Sequence, residues 1–327
     1  MTIDHRRRGL VRALPLLAFN AWPARADTTY PDRPVRLVVP FGAGGNVDGV
    51  GRLLAHALAP LLGQPVVVDN RPGAGGSLGA TTVAKGQADG YTLLVGSNGP
   101  LTINPFVQAK LAYGLQDFEP VALAGVVPHV LLVQNELQAR SLQDLVALSQ
   151  RQALSCGSSG VGSATHLTME RLNAATGARL QHVPYRGGNS PVPDLLGGAI
   201  QAISMEFSTA LPLHRTGKAR ILAIAAAARS PLAPELPTFG ESGAPGFTAN
   251  SYVGLLAPAA TPAAALRKLQ ALAEQALAAP ELVERLQSLG LTAAGPQERQ
   301  AAAFGAMLRA DLERSREAVR VAGIRPE

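Results

Sequence analysis

Two glycine-rich stretches have the make-up of anion-binding loops. "VVPFGAGGNVDGVGRLLAHAL", from Val38 to Leu58, runs from an apolar strand-like segment through a glycine turn into a helical period. "LSCGSSGVGSATHLTMERL", from Leu154 to Leu172, repeats that plan further along. At a helix start the first backbone N–H groups have no intrahelical partner and carry the positive end of the dipole. Glycines let a ligand approach those groups closely. Neither loop contains lysine or arginine. A carboxylate held there would rest on neutral N–H and hydroxyl groups, a directed but readily released grip that suits transport better than storage. Asp48, in the first helix turn, is open to two readings: a cap on the free N–H groups, or a charge facing the site.

Other chemistries fail on spacing. "GAGGNVDG" has no Lys-Ser/Thr pair and is no Walker A loop. A dinucleotide fingerprint from Gly42 needs glycine at Val47, and one from Gly73 needs it at Leu78. Gly157-Ser158-Ser159-Gly160 is one residue short of a nucleophile elbow. Ser159 or Ser163 with His166 is the remaining hydrolase reading, with no orienting acid placed by the sequence. Cys156 ends an apolar run and reads as a small buried hydrophobe. The six histidines have no metal-ligand spacing, so no cofactor is expected. Arg186, in "YRGG", is open between a ligand contact and a structural ion pair.

Strand-like runs occur at Val35–Val39, Pro65–Asp69, Tyr91–Val95, Val121–Ala124, Val130–Val133, Leu154–Cys156, Leu180–Val183, Ile200–Ser204, Ile221–Ala225 and Ser251–Leu256. Helical periods at Val50–Leu62, Ser141–Ser149, Thr165–Thr176 and Pro191–Leu196 separate many of them. Such alternation predicts an α/β protein with parallel sheets covered by helices. From Pro262 onward the pattern is almost wholly helical. The repeated strand–loop–helix unit predicts two similarly built lobes, with crossings near Gln134–Leu142 and Gly246–Tyr252.

A chain of 327 residues with 47% hydrophobic and 16% charged residues is globular rather than disordered. No run has the ~18–20 apolar residues that cross a bilayer, so a soluble mature protein is expected. Residues 1–26 read as a secretory signal: a basic start, a short apolar middle and the ending Ala24-Arg25-Ala26. Their removal takes Arg6, Arg7, Arg8, Arg12 and Arg25 along with Asp4, and the formal charge falls from +6 to +2. No basic, aromatic-interleaved patch remains for nucleic acid. With a single cysteine and this leader, the expected location is the periplasm.

The assembled segments resemble the periplasmic solute receptors of tripartite tricarboxylate transport systems, the Bug-type or TctC-like proteins. The matching pieces run in order from "YPDRPVRLVVPFGAGGNVD" and "VVVDNRPGAGGSLGA" through "ADGYTLLVGSN", "INP", "FEPVAL", "GSSGVGSATHL", "VPYRGG" and "DLLGGAI". "LPTFGESGAPGF", "YVGLLAPAATP" and "AGIRPE" complete the set. The resemblance implies a type II periplasmic-binding-protein-like fold, each lobe a sheet flanked by helices, with the ligand in the cleft between them. Lobe 1 would comprise residues 27–133 and 250–327, and lobe 2 residues 134–249.

It also implies a monomeric, non-enzymatic receptor that delivers a small organic carboxylate to membrane permease subunits. A ligand-dependent sensor of a signalling partner would share every one of these features. The family's pincer loops map to Phe41, Gly42, Ala43, Gly45, Asn46 and Asp48 in one lobe. In the other they map to Ser159, Gly160, Ser163, Thr165 and His166. Ser97, Tyr185 and Met205 complete the candidate set. Family members commonly place a cleft-facing Asp where this chain has Met205, beside Glu206, and a Trp where it has Tyr252. If Met205 lines the cleft, the lost carboxylate disfavours a ligand amine and favours an acid without one.

Overall fold

In the computed structural model, residues 30–321 are described, together with 323, 324 and 326. The expected export signal lies outside them. Five of the first elements follow a βαβαβ path. Strand β1 (Val35–Val39) leads into α1 (Asn46–Leu62), β2 (Val66–Asn70), α2 (Ser77–Ala84) and β3 (Thr92–Gly96), followed by the short α3 (Asn104–Val107). β1 pairs in parallel with β2 on one side and β3 on the other. Val35, Leu37, Val38 and Val39 are all buried and Arg36 alone is exposed, so a strand covered on both faces reads as a nearly continuous apolar run.

Strand β4 (Phe118–Gln134) opens the second half, before α4 (Leu142–Ser149), β5 (Leu154–Ser158), α5 (Ala164–Thr176) and β6 (Leu180–Pro184). α6 (Val192–Leu196), β7 (Ala202–Glu206), α7 (Phe207–Arg215) and β8 (Ala219–Ile224) follow. β5 again lies between parallel neighbours, β6 and β7. The two halves are thus built on one plan, as the repeated loops predict. β9 (Asn250–Pro258) returns to the first sheet between β3 and β4. The chain then ends in α8 (Ala263–Ala278), α9 (Pro280–Ser288), the two-residue β10 (Thr292–Ala293) and α10 (Ala301–Val321).

Two expectations are corrected here. The sheets are mixed: only β1–β2–β3 and β5–β6–β7 are parallel, and the pairs of β4 with β7, β8, β9 and β10 are antiparallel. The runs Val121–Ala124 and Val130–Val133 are not two strands but parts of the 17-residue β4. Gly125 and Pro128 read as breakers, yet Pro128 makes the last pair with β9, opposite Asn250, and His129 makes the first with β7, opposite Glu206. Proline has no N–H to donate, so it sits where the ladder changes partner. β4 thus changes partner at residues 128–129, and β9 starts at Asn250.

Each sheet carries its own apolar cluster. Leu131, Leu145, Leu154, Met169, Leu172 and Phe239 pack around the second, and Val38, Leu94, Leu123, Tyr252, Leu256 and Phe304 around the first. Phe304 brings α10 onto that first core. Its ring is fully buried, meets Tyr252 edge-on with centroids 6.0 Å apart, and lies so close over Gly254 that no side chain fits there. Truncating Phe304→Ala should cost about 3–5 kcal/mol in denaturant unfolding, from lost burial plus a cavity that the strand beneath cannot fill. A loss below about 1 kcal/mol would mean that α10 does not depend on this contact.

Candidate functional site

β1 and β5 occupy equivalent places, each with successive strands on opposite sides. The loops leaving their carboxyl ends therefore lie in the crevice where strand order reverses, the usual ligand position of open α/β sheets. One loop delivers α1 and the other α5, and both helix starts open onto a single cleft. Gly45, Asn46 and Val47 line it from α1, and Ser159, Ser163 and Ala164 from the α5 side. Phe41, Ser97, Gly99, Gly188, Glu206 and Ser251 complete the wall. No lysine or arginine is among them, and Glu206 is the one lining side chain that titrates. The cleft measures about 360 Å³ to its mouth.

The helix starts differ in one respect. The α1 cap is Gly45, which supplies no side-chain acceptor, so the leading amides keep their capacity for whatever fills the cleft. Ser163 caps α5, its Oγ accepting from the His166 amide at 3.2 Å. Asn46 is oriented from across the cleft: the Ser208 hydroxyl, on α7, donates to its Oδ1 at 3.1 Å. Its Nδ2 is then buried without a partner, and so is Oε2 of Glu206. An unpaired buried polar atom costs about 1–3 kcal/mol, and such atoms are rare in folded proteins. Among the described residues four side-chain atoms are in this condition, and two of them share this cleft. Their grouping marks where polar ligand atoms belong.

Other candidates fall behind this wall. Asp48 is buried but turned into its own loop, where it accepts from the Gly44 amide at 2.9 Å, Arg52 at 3.0 Å and Asn70 at 2.9 Å. Burial raises its pKa, but these donors outweigh that and hold it below the usual carboxylate range. It braces the loop. Thr165 does the same on the other side, with Oγ1 accepting from the Ser159 amide at 3.0 Å. Gly42 and Ala43 are on the outer turn of the first loop, Ala43 exposed. Gly160 and Tyr185 line a separate outer recess with Arg186, and the Tyr185 hydroxyl donates to Asp194 at 2.5 Å.

Met205 is a correction. It is fully buried opposite Val130 and does not reach the cleft; neighbouring side chains on a strand point to opposite faces, so Glu206 lines the cleft instead. The expected strand ended at Ser204, two residues early, and hid this alternation. Ser251 was missed for a similar reason: its neighbour Tyr252 drew attention, but Tyr252 faces the core. Gly99, Gly188 and Ser208 carry no sequence signal of their own, since only the fold brings them here.

The Ser/His reading also resolves. His166 stacks on His182, with centroids 3.8 Å apart, and its Nε2 lies 3.7 Å from Glu170. Among the described residues neither Ser159 nor Ser163 bonds the His166 ring; the serine–histidine ring contacts are Ser158 Oγ to His182 Nε2, at 2.6 Å, and Ser251 Oγ to His129 Nε2, at 2.8 Å. Ser158 is fully buried behind the loop, where no substrate reaches it. Burial, with His166 beside it, brings the His182 pKa down to about 4. Burial pushes the Cys156 thiol up to about 12, and it is inert.

Comparison with known proteins agrees with this geometry. The profile of the tripartite tricarboxylate transporter family receptor matches residues 50–322. The periplasmic binding protein BugD is 33% identical, with a TM-score of 0.87 over 91% of this chain and 100% of BugD. MatC from Rhodopseudomonas palustris, solved with bound malate, is 32% identical, with a TM-score of 0.84 over 89% of this chain and 100% of MatC. R. palustris Rpa4515, solved with adipate, is 33% identical, with a TM-score of 0.86 over 91% of this chain and 100% of that one. The two-sheet architecture, the paired helix starts and these matches together lead to one conclusion: the chain belongs to the tripartite tricarboxylate transporter receptor family, a family of binding receptors and not of enzymes, and has its mixed α/β periplasmic-binding-protein fold.

Proposed function

We propose that this protein is an exported periplasmic receptor that captures a small organic carboxylate between two lobes and hands it to membrane permease subunits. The observation that carries this reading is the pairing of the α1 and α5 starts on one cleft with no cationic side chain in its wall. Helix amides and hydroxyls supply directed donors, and the absence of a fixed cation keeps release possible. The malate and adipate bound by two relatives support the carboxylate class. Among the described residues no helix is long and apolar enough to cross a membrane, which fits a receptor that meets its permease from outside the bilayer.

The lobes correspond to the two sheets, and the β4–β9 strand pair is where they bend. Closure brings the loop at Gly75 against the loop at Val161. Gly75 has φ +59, and a side chain there would run into the Val161 carbonyl oxygen. Gly75→Ala should therefore hold the lobes apart and weaken ligand binding by about tenfold or more, about 1.4 kcal/mol, beside the roughly 1–2 kcal/mol of unliganded stability that alanine loses at positive φ. Unchanged affinity would remove this contact from the closing movement.

A thermal-shift screen of small carboxylates against the refolded, ligand-stripped chain tests the reading as a whole. A ligand at 100 times its Kd adds roughly 2.7 kcal/mol of stability, and Asn46→Ala should abolish the shift while leaving the unliganded midpoint nearly in place. A chain that responds to no carboxylate is not this kind of receptor.

A further inference from the structure

From Glu206 a line of hydrogen bonds leads out of the cleft and into α5. Its Oε1 lies 3.2 Å from Ser251 Oγ, which lies 2.8 Å from His129 Nε2. His129 Nδ1 lies 2.6 Å from Thr168 Oγ1, which donates to the Ala164 carbonyl at 2.9 Å. The end of the line sets its direction. A carbonyl oxygen only accepts, so Thr168 spends its one hydrogen on Ala164 and must accept from Nδ1–H. Burial, with Arg171 adding to it, brings the His129 pKa down to about 3, so the ring is neutral and Nε2 is an acceptor. Ser251 then spends its hydrogen on Nε2. What remains for the contact with Glu206 is a proton carried by Oε1 itself.

An ionised Glu206 would need every hydrogen in the line reversed. Thr168 Oγ1 would then turn a lone pair toward the Ala164 carbonyl oxygen at 2.9 Å. The surroundings point the same way. β4 faces the carboxyl with neutral His129, β9 with the Ser251 hydroxyl, and α1 across the cleft with the Asn46 amide. Burial raises the Glu206 pKa, with its own amide and Ser251 offsetting only part of that effect. With Oε1 engaged, Oε2 is left buried and unpartnered beside Gly188, where an added Cβ would stand 3.1 Å from it.

We propose that Glu206 stands in the cleft as a neutral acid whose outer oxygen accepts a hydrogen bond from the ligand, so that the site prefers a hydroxy acid to the corresponding amino acid or unsubstituted acid. This rests on the carboxylate-receptor reading above and names the ligand class within it. A hydroxyl pairs with Oε2 and disturbs nothing behind it. An unsubstituted acid leaves Oε2 unpaired. An ammonium enters a wall with no countercharge unless Glu206 ionises, which reverses the line. The sequence expectation of an acid without an amine is kept, on a different ground: the carboxyl is present but uncharged.

Calorimetric titration with malate, succinate, aspartate and adipate, together with ¹⁵N NMR of the His129 ring, tests this. Malate should bind about tenfold or more tighter than succinate or aspartate, with His129 as the Nδ1–H tautomer. Glu206→Leu should bring malate and succinate to within about threefold of each other. Glu206→Gln should restore the preference, since its amide can donate to Ser251 and turn its carbonyl outward. Aspartate binding best and lost in Glu206→Gln, an Nε2–H tautomer, or adipate bound without malate would each overturn the proposal. If no carboxylate binds the wild-type chain, the receptor reading fails, while the tautomer still decides the state of Glu206.

Discussion

The continuity of β4 across two sheets is the constraint on which the cleft depends. Its first part is held by β9 and its last part by β7 and β8, so the two sheets share a strand but keep separate cores. That arrangement turns the carboxyl ends of β1 and β5 toward one space. Each helix start is then placed by the strand that precedes it, and neither needs a long tether. Separate strands at 121–124 and 130–133 would leave the meeting of the two loops to a flexible linker.

Electrostatically, the wall is built without fixed positive charge. Asp48 could have spoiled an anion site at the α1 start, but Arg52, Asn70 and the Gly44 amide take up its carboxylate on the side away from the cleft. Its charge stabilises the loop that shapes the site. Glu206 sits inside the cleft, and there the directed hydrogen-bond line through Ser251, His129 and Thr168 addresses the same problem by neutralisation. Two acidic groups near an anion site are thus accommodated in different ways, one by compensation and one by protonation.

Much of the fold was legible because buried parallel strands leave a strong mark. Val35–Val39 and Leu154–Cys156 are largely apolar runs bounded by turns, and each is a strand in the structure. The start of α5 at Ala164 lies one residue from the expected Thr165, behind its serine cap, whereas α1 starts at Asn46, four residues before the expected Val50, because its glycine cap carries no capping side chain. Less legible was β4, where Pro120, Gly125 and Pro128 look like interruptions but fall at changes of register or partner. Parallel and antiparallel pairing was also not legible, since strand direction depends on which distant segment closes each edge.

For the site, sequence alone determined what the two loops are made of: free helix amides, hydroxyls and no cations. Those properties are local, because caps and turns are set by a few adjacent residues. Only the tertiary structure decided which side chains share the cleft. Phe41, Gly45, Asn46, Ser97, Ser159 and Ser163 line it, Asp48, Thr165 and His166 support it from behind, and Glu206 takes the place expected of Met205. The reason is physical. A strand turns alternate residues to opposite faces, so the position where β7 ends decides whether a thioether or a carboxyl meets the ligand. That end point is set by pairing with β4, a segment far away in the chain.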